Sequence, residues 1–108
     1  MAEVAQTPEP PYYAVIFTSR RTEGDHGSAE MAKKMEELGA SSPGFLGIES
    51  CRGADGLGIT VSYWANLEAI RAWRNDFEHQ EAQRGGREKW YERYHVRVAK
   101  VERAYGGP

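Results

Sequence analysis

With 108 residues, 40% hydrophobic and 28% charged, the chain has room for one domain with a modest core, burying about 60–65% of the surface its unfolded form exposes. Its 14 basic side chains against 16 acidic ones lack the basic excess of a nucleic-acid binder, and the longest aliphatic or aromatic run, Tyr12 to Phe17, is far too short to span a bilayer. Cys51 is the single cysteine, which excludes an intramolecular disulfide and leads us to expect a soluble protein of the reducing cytoplasm, with neither nucleic acid nor membrane as a partner.

Residues 1–11 are polar and proline-containing, with no periodicity, no basic start and no apolar stretch; they predict a disordered lead-in rather than a secretory signal. Tyr12 to Ser19 is dense in aromatic and β-branched residues and predicts a first strand covered at least partly on both faces. From Ser28 to Gly39, Met31, Met35 and Leu38 recur at helical spacing, and Gly39 stands where a helix C-terminal glycine belongs. Phe45 to Arg52 and Leu57 to Trp64 follow as two strands, joined by Gly53-Ala-Asp-Gly56 into an antiparallel hairpin.

Asn66 is suited to cap a second helix whose apolar stripe is Leu67, Ile70, Trp73 and Phe77, continuing less regularly toward Trp90. Gly85-Gly86 predicts a break or bend there. His95 to Val101 is the fourth strand. Val96 and Val98 share one of its faces and His95 and Arg97 the other, while Val101 falls out of phase and suggests a bulge near Ala99 or Lys100. Residues 106–108 form a frayed tail.

The order β-α-β-β-α-β closes, with right-handed crossovers, into a four-stranded antiparallel sheet with both helices on one face, the ferredoxin-like member of the α+β class. Two helices cover one face only. The other face keeps aromatic and β-branched residues that a single chain cannot bury, so two sheets meeting face to face in a dimeric α/β barrel are expected, with a second copy of the chain as partner.

Three stretches carry a resemblance. Ser62-Tyr-Trp-Ala-Asn-Leu-Glu-Ala-Ile-Arg-Ala-Trp73 joins an aromatic strand end to a capped, acidic helix start bearing a tryptophan; Pro43-Gly44-Phe45 matches a "P-G-F" turn; Phe77-Glu-His-Gln-Glu-Ala-Gln83 matches an "H-x-x-A" helix. In order and spacing these resemble the antibiotic-biosynthesis-monooxygenase superfamily, over residues 12–105. The resemblance implies a small dimeric barrel enzyme oxidising an aromatic, quinol-like molecule with oxygen and no bound cofactor. Other superfamily members open haem, with a helix tryptophan, a histidine further along that helix and a strand-one asparagine. Here Trp73 matches the tryptophan, but the histidine position falls on Gln83 and the asparagine position on Phe17.

His79, one helical turn before Gln83, is the candidate catalytic base, because an imidazole titrates near neutrality and can take a proton from a phenol or an activated C–H. Trp73, Trp64, Tyr63, Phe17 and Gln83 are the candidate substrate contacts. Tyr63 and Trp64 must point to opposite faces of their strand. Arg97 would hold a carboxylate or a developing oxyanion if its face lines the pocket, and is surface charge if it does not. Asp76 with His79 supplies only two metal ligands on one helical face, so no metal is expected. The competing functions are a non-catalytic ligand-binding or stress-related dimer using the same cleft, and a haem-degrading monooxygenase in which His79 replaces the displaced ligand.

Overall fold

A computed structural model describes residues 4–21, 33, 36–84 and 91–108, with the backbone alone for residues 79–84. Strands β1 (Tyr12–Arg21), β2 (Phe45–Arg52), β3 (Leu57–Trp64) and β4 (Tyr91–Val101) form one sheet in the order β2-β3-β1-β4, every neighbour antiparallel. Residues 36–40 are helical between β1 and β2, and the long helix Leu67–Arg84 joins β3 to β4. This is the ferredoxin-like α+β arrangement that the element order predicts. No described helix is long and apolar enough to cross a membrane. The predicted glycine break at Gly85-Gly86, like Met31, Met35 and Trp90, lies outside the described residues.

Register decides which side chains meet the helices. Tyr13 pairs with Trp64 and Val15 with Ser62 on one side of β1, and Phe17 pairs with Val96 on the other. Directly opposed residues share a face, so Tyr13, Val15, Phe17, Trp64, Val96 and Val98 all point the same way. Val15 and Trp64 join Ile70 of the long helix in the buried core, with Tyr13, Phe45, Ala69 and Trp73 packed around them. That is the helix-bearing face.

The helix starts where the sequence tells it to. The Asn66 Oδ1 accepts a hydrogen bond from the Ala69 backbone N–H at 2.8 Å, satisfying one of the donors a helix start leaves open. Ile70, Trp73 and Phe77 then follow at three- and four-residue spacing toward the sheet. Leu67, expected to open that stripe, stays 45% exposed, and Ala69 packs in its place. The reason is Gly44. Its φ of +85° places it in left-handed backbone, its carbonyl accepts the Ala65 N–H at 2.8 Å, and a Cβ on it would stand 2.7 Å from the Ala69 Cβ. A glycine at this turn lets the helix dock by its small residue.

Two expectations are corrected. The bulge on the last strand is not near Ala99 or Lys100: pairing with β1 runs in step from Tyr12↔Val101 to Arg20↔Arg93 and slips only between Arg20 and Arg21, opposite Glu92. Val101 is out of phase with Val96 and Val98 because it serves the opposite face, where it pairs with Tyr12. The strand also begins at Tyr91, four residues before His95. The second correction concerns residues 4–11. Where their composition predicts a disordered lead-in, they lie against the helix-free face. The Ala5 N–H donates to the Glu49 Oε2 at 3.0 Å, the Thr7 and Tyr12 hydroxyls meet at 2.9 Å, and a Cβ on Gly47 would stand 3.3 Å from that of Ala5. Polar hydrogen bonds over a side-chain-free position hold a segment that has no apolar stripe of its own.

Candidate active site

On the helix-bearing face the aromatic side chains form two connected groups. Phe45, Trp64, Trp73 and Phe77 make a ladder, with successive ring centroids 5.5, 5.6 and 5.4 Å apart. Such edge-to-face and tilted contacts are the arrangements aromatic quadrupoles favour. Trp64 is fully buried and its indole N–H donates to the Ser62 Oγ at 2.9 Å. Trp73 differs. It is half-buried, its Nε1 is sealed from solvent, and that nitrogen has no acceptor among the described residues. A buried donor left unmatched is costly and rare.

Phe17 anchors the second group. Its ring stacks on Tyr94 at 5.7 Å and meets Tyr91 edge-on at 5.5 Å. Beside it, Val96 and Val98 are 47% and 52% exposed although they lie on the face that carries the core. Apolar side chains on that face but outside the core form a floor on which a flat ring can lie.

A polar edge closes this floor at the end of β1. Arg52 crosses over Gly58 of the neighbouring strand, where a Cβ would stand 2.6 Å from the guanidinium carbon. Its Nη2 donates to the Ser19 Oγ at 2.8 Å, and its Nη1 donates to the Ser19 carbonyl at 3.3 Å and to the Gly56 carbonyl. The guanidinium carbon is 6.0 Å from the centre of the Tyr91 ring. Burial, then the nearby positive Arg21, pull the Arg52 pKa down, while Tyr91 opposes them. Sequence reasoning missed Arg52. The available signal was Gly58, an isolated glycine inside a strand, which marks close approach by another group.

The predicted site residues thus divide. Trp64, Trp73 and Phe17 are brought to one face. Tyr63 and Arg97 are not: Tyr63 pairs with Ala14, and Arg97 with Ile16, on the helix-free side. Arg97 is exposed there, its position fixed by alternation with the two valines. Tyr63 donates to the Glu49 Oε1 at 2.5 Å and meets Tyr12 edge-on at 5.8 Å, under the lead-in. Burial, followed by the bond to Glu49, pushes the Tyr63 pKa up to about 12, and the same bond, helped by the Ala5 N–H, holds the Glu49 carboxyl below its usual range. His79 and Gln83 belong to the long helix, but their side chains lie outside the described residues. Among the described residues no three histidine, cysteine or acidic side chains gather as a metal site. For haem, the strand-one position that would supply an amide is Phe17, packed between two tyrosine rings, and it offers no polar group to that cofactor.

The sequence model of the Antibiotic biosynthesis monooxygenase family matches residues 11–85. The chain belongs to that family. The match runs from the start of β1 to the end of the long helix and so contains the aromatic ladder and Arg52. The chain is also 59% identical over 100 residues to the uncharacterized protein YqjZ of Bacillus subtilis (strain 168), covering 93% of this chain and 88% of that one. Two solved structures share the fold at low identity. A Nitrosomonas europaea protein of unknown function, NE2512, superposes with a TM-score of 0.72 over 94% of this chain and 99% of its own, at 9% identity. SnoaB, a cofactor-independent oxygenase from Streptomyces nogalater, superposes with a TM-score of 0.69 over 88% of this chain and 97% of its own, at 12% identity.

Proposed function

We propose that this member of the family is a cofactor-independent monooxygenase that oxidises a flat, fused-ring phenol to a quinone. The observation that carries the reading is the buried, unpartnered indole N–H of Trp73 in an aromatic ladder beside a half-exposed apolar floor. The cofactor-independent oxygenase SnoaB, with the same fold, adds support for this kind of chemistry.

A base removes the phenol proton, and His79 is the residue assigned to this step. The electron-rich anion passes one electron to oxygen, and the resulting pair combines to form a carbon–oxygen bond para to the phenolic oxygen. Loss of the proton from that carbon with cleavage of the O–O bond expels hydroxide, which leaves as water after protonation. One oxygen atom of O2 stays in the quinone, the other becomes water, and the substrate supplies both electron pairs. The protein needs a base, a wall against which the ring can stack, and a donor for the oxygen that carries the charge. In this scheme Trp73 is that donor.

A second copy of the chain completes the enzyme as a homodimer. Leu57 and Ile59 are 41% and 47% exposed on the helix-free face, beyond the reach of either helix. Burying that face against its equivalent gives the barrel.

The test is oxygen uptake by chelator-treated protein offered fused-ring phenols such as naphthols and anthrones. Wild type consumes one O2 per quinone formed, and His79→Ala loses that turnover while ligand affinity is nearly unchanged. Ligand binding without oxygen uptake in wild type overturns the enzyme and leaves a binding module.

A further inference from the structure

The lead-in already occupies part of the helix-free face. Its Ala5 N–H reaches the Glu49 Oε2 of β2 at 3.0 Å, and a Cβ on Gly47 would stand 3.3 Å from the Ala5 Cβ and 3.9 Å from both the Gln6 carbonyl oxygen and the Thr7 Cγ2. The Thr7 and Tyr12 hydroxyls meet at 2.9 Å, and Tyr12 is 4% exposed. The register lays the strand side chains of this face in rows. One row runs Arg97, Ile16, Val61, Glu49 from β4 to β2, and the next runs Ala99, Ala14, Tyr63, Gly47. Arg93, His95 and Arg97 alternate along β4 and all are exposed, whereas the acid of the face, Glu49, stands on β2. Base and acid thus mark opposite edges of the order β2-β3-β1-β4.

A two-fold axis that brings this face onto its equivalent runs either across the strands or along them. Across, it lays β4 on the partner's β4 and sets the basic stripe against its own copy, with like charges opposed. Along, it lays β4 on the partner's β2 and matches each row with itself in reverse. The partner's Arg97 then lies over Glu49, whose carboxylate has acceptor capacity beyond its bonds to Ala5 and Tyr63. The exposed Leu57 and Ile59 of β3 lie over the partner's β1. Sheets packed face to face leave about 10 Å between them, so an extended segment fits in the gap only where the side chains below and above are small. Gly47 lies below the lead-in, and the partner's Ala99 lies above it.

We infer that the two copies join with these rows reversed, and that residues 5–7 of each are clamped between its own β2 and the β4 of its partner. This rests on the homodimer proposed above and assigns its geometry. Within one chain, Ala5 over β2 and Ala99 on β4 are separated by three strand spacings, about 14 Å, beyond the roughly 7 Å that a disulfide spans between Cα atoms. Between copies they face each other.

The experiment places Ala5→Cys and Ala99→Cys together and singly in a Cys51→Ser background, which removes the native cysteine, and follows covalent dimer after mild oxidation. The double variant should cross-link between copies and neither single variant should. Arg97→Glu, which sets acid against acid, should raise the dimer dissociation constant at least tenfold in sedimentation of diluted protein. A dimer whose double variant does not cross-link, cross-linking by Ala99→Cys alone, or an unchanged constant in Arg97→Glu overturns the reversed rows and leaves the homodimer standing. A wild-type monomer overturns the homodimer and this geometry with it.

Discussion

Gly39 and Trp73 meet so closely that a Cβ on the glycine would stand 3.3 Å from the indole nitrogen. Gly39 is buried at the end of the helical residues 36–40, and the Phe45 ring lies 3.7 Å from the same point. The first helix therefore ends against the indole by presenting backbone and no side chain. An indole that packs its nitrogen edge against a glycine and makes tilted contacts with Trp64 and Phe77 has a fixed orientation.

Gly44 fixes the other approach of the long helix. Gly44→Ala places a Cβ in left-handed backbone and drives it into the Ala69 Cβ, 2.7 Å away. The left-handed conformation alone costs about 1–2 kcal/mol, and the clash adds to it. We expect a loss of about 2–3 kcal/mol in urea unfolding, larger than the loss of about 1 kcal/mol expected for removing the cap with Asn66→Ala. A Gly44→Ala protein as stable as wild type would show that the helix does not dock on this turn.

The Glu49–Tyr63 pair makes stability depend on pH at both ends. Glu49 has a depressed pKa in the fold, so its contribution is present above the ordinary carboxyl range and is lost as pH falls through the folded value. Tyr63 is raised to about 12, so its contribution is complete below about pH 10, the unfolded value, and is lost as pH rises through about 12. Tyr63→Phe should cost about 1 kcal/mol at pH 7, after discounting a charge-assisted hydrogen bond for partial exposure. That cost should shrink at pH 3 or below. An equal cost at both pH values, measured by urea unfolding, would assign it to packing against Tyr12 and not to the bond.

The helix-free face makes the oligomer a separate prediction. Light scattering at micromolar concentration should give a dimer for wild type and a monomer for Ile59→Glu, which puts a charge in the middle of the apolar patch. A wild-type monomer at that concentration would exclude the shared barrel.

The sequence made most of the fold legible, and the misses have physical causes. β2 and β3 have the predicted ends because Pro43-Gly44 precedes them, the turn from Gly53 to Gly56 joins them and the Asn66 cap follows them. β4 was read as starting too late because Glu92 and Arg93 interrupt the alternation just where the strand slips against β1. Periodicity and resemblance assign Trp64, Trp73 and Phe17 to the cleft; strand parity puts Trp64 and Phe17 on the face against which the long helix packs Trp73. Tyr63 could not share that face with Trp64, its neighbour in the strand. Arg97 was undecided until β1 paired with β4, because an edge strand with valines on one side and charges on the other reads the same either way up. Arg52 was legible only through Gly58: its partner Ser19 comes from another part of the chain, and no local pattern announces that contact.

In the proposed oxidation Trp73 donates its indole N–H to the substrate oxygen on which charge develops. Trp73→Phe keeps an aromatic wall between Trp64 and Phe77 and removes that donor. With a fused-ring phenol that wild type oxidises, oxygen uptake should fall about 100-fold in kcat, in the range seen for removing one oxyanion donor, with KM little changed. Oxygen uptake by Trp73→Phe at the wild-type rate would contradict it and leave Trp73 as a wall of the core.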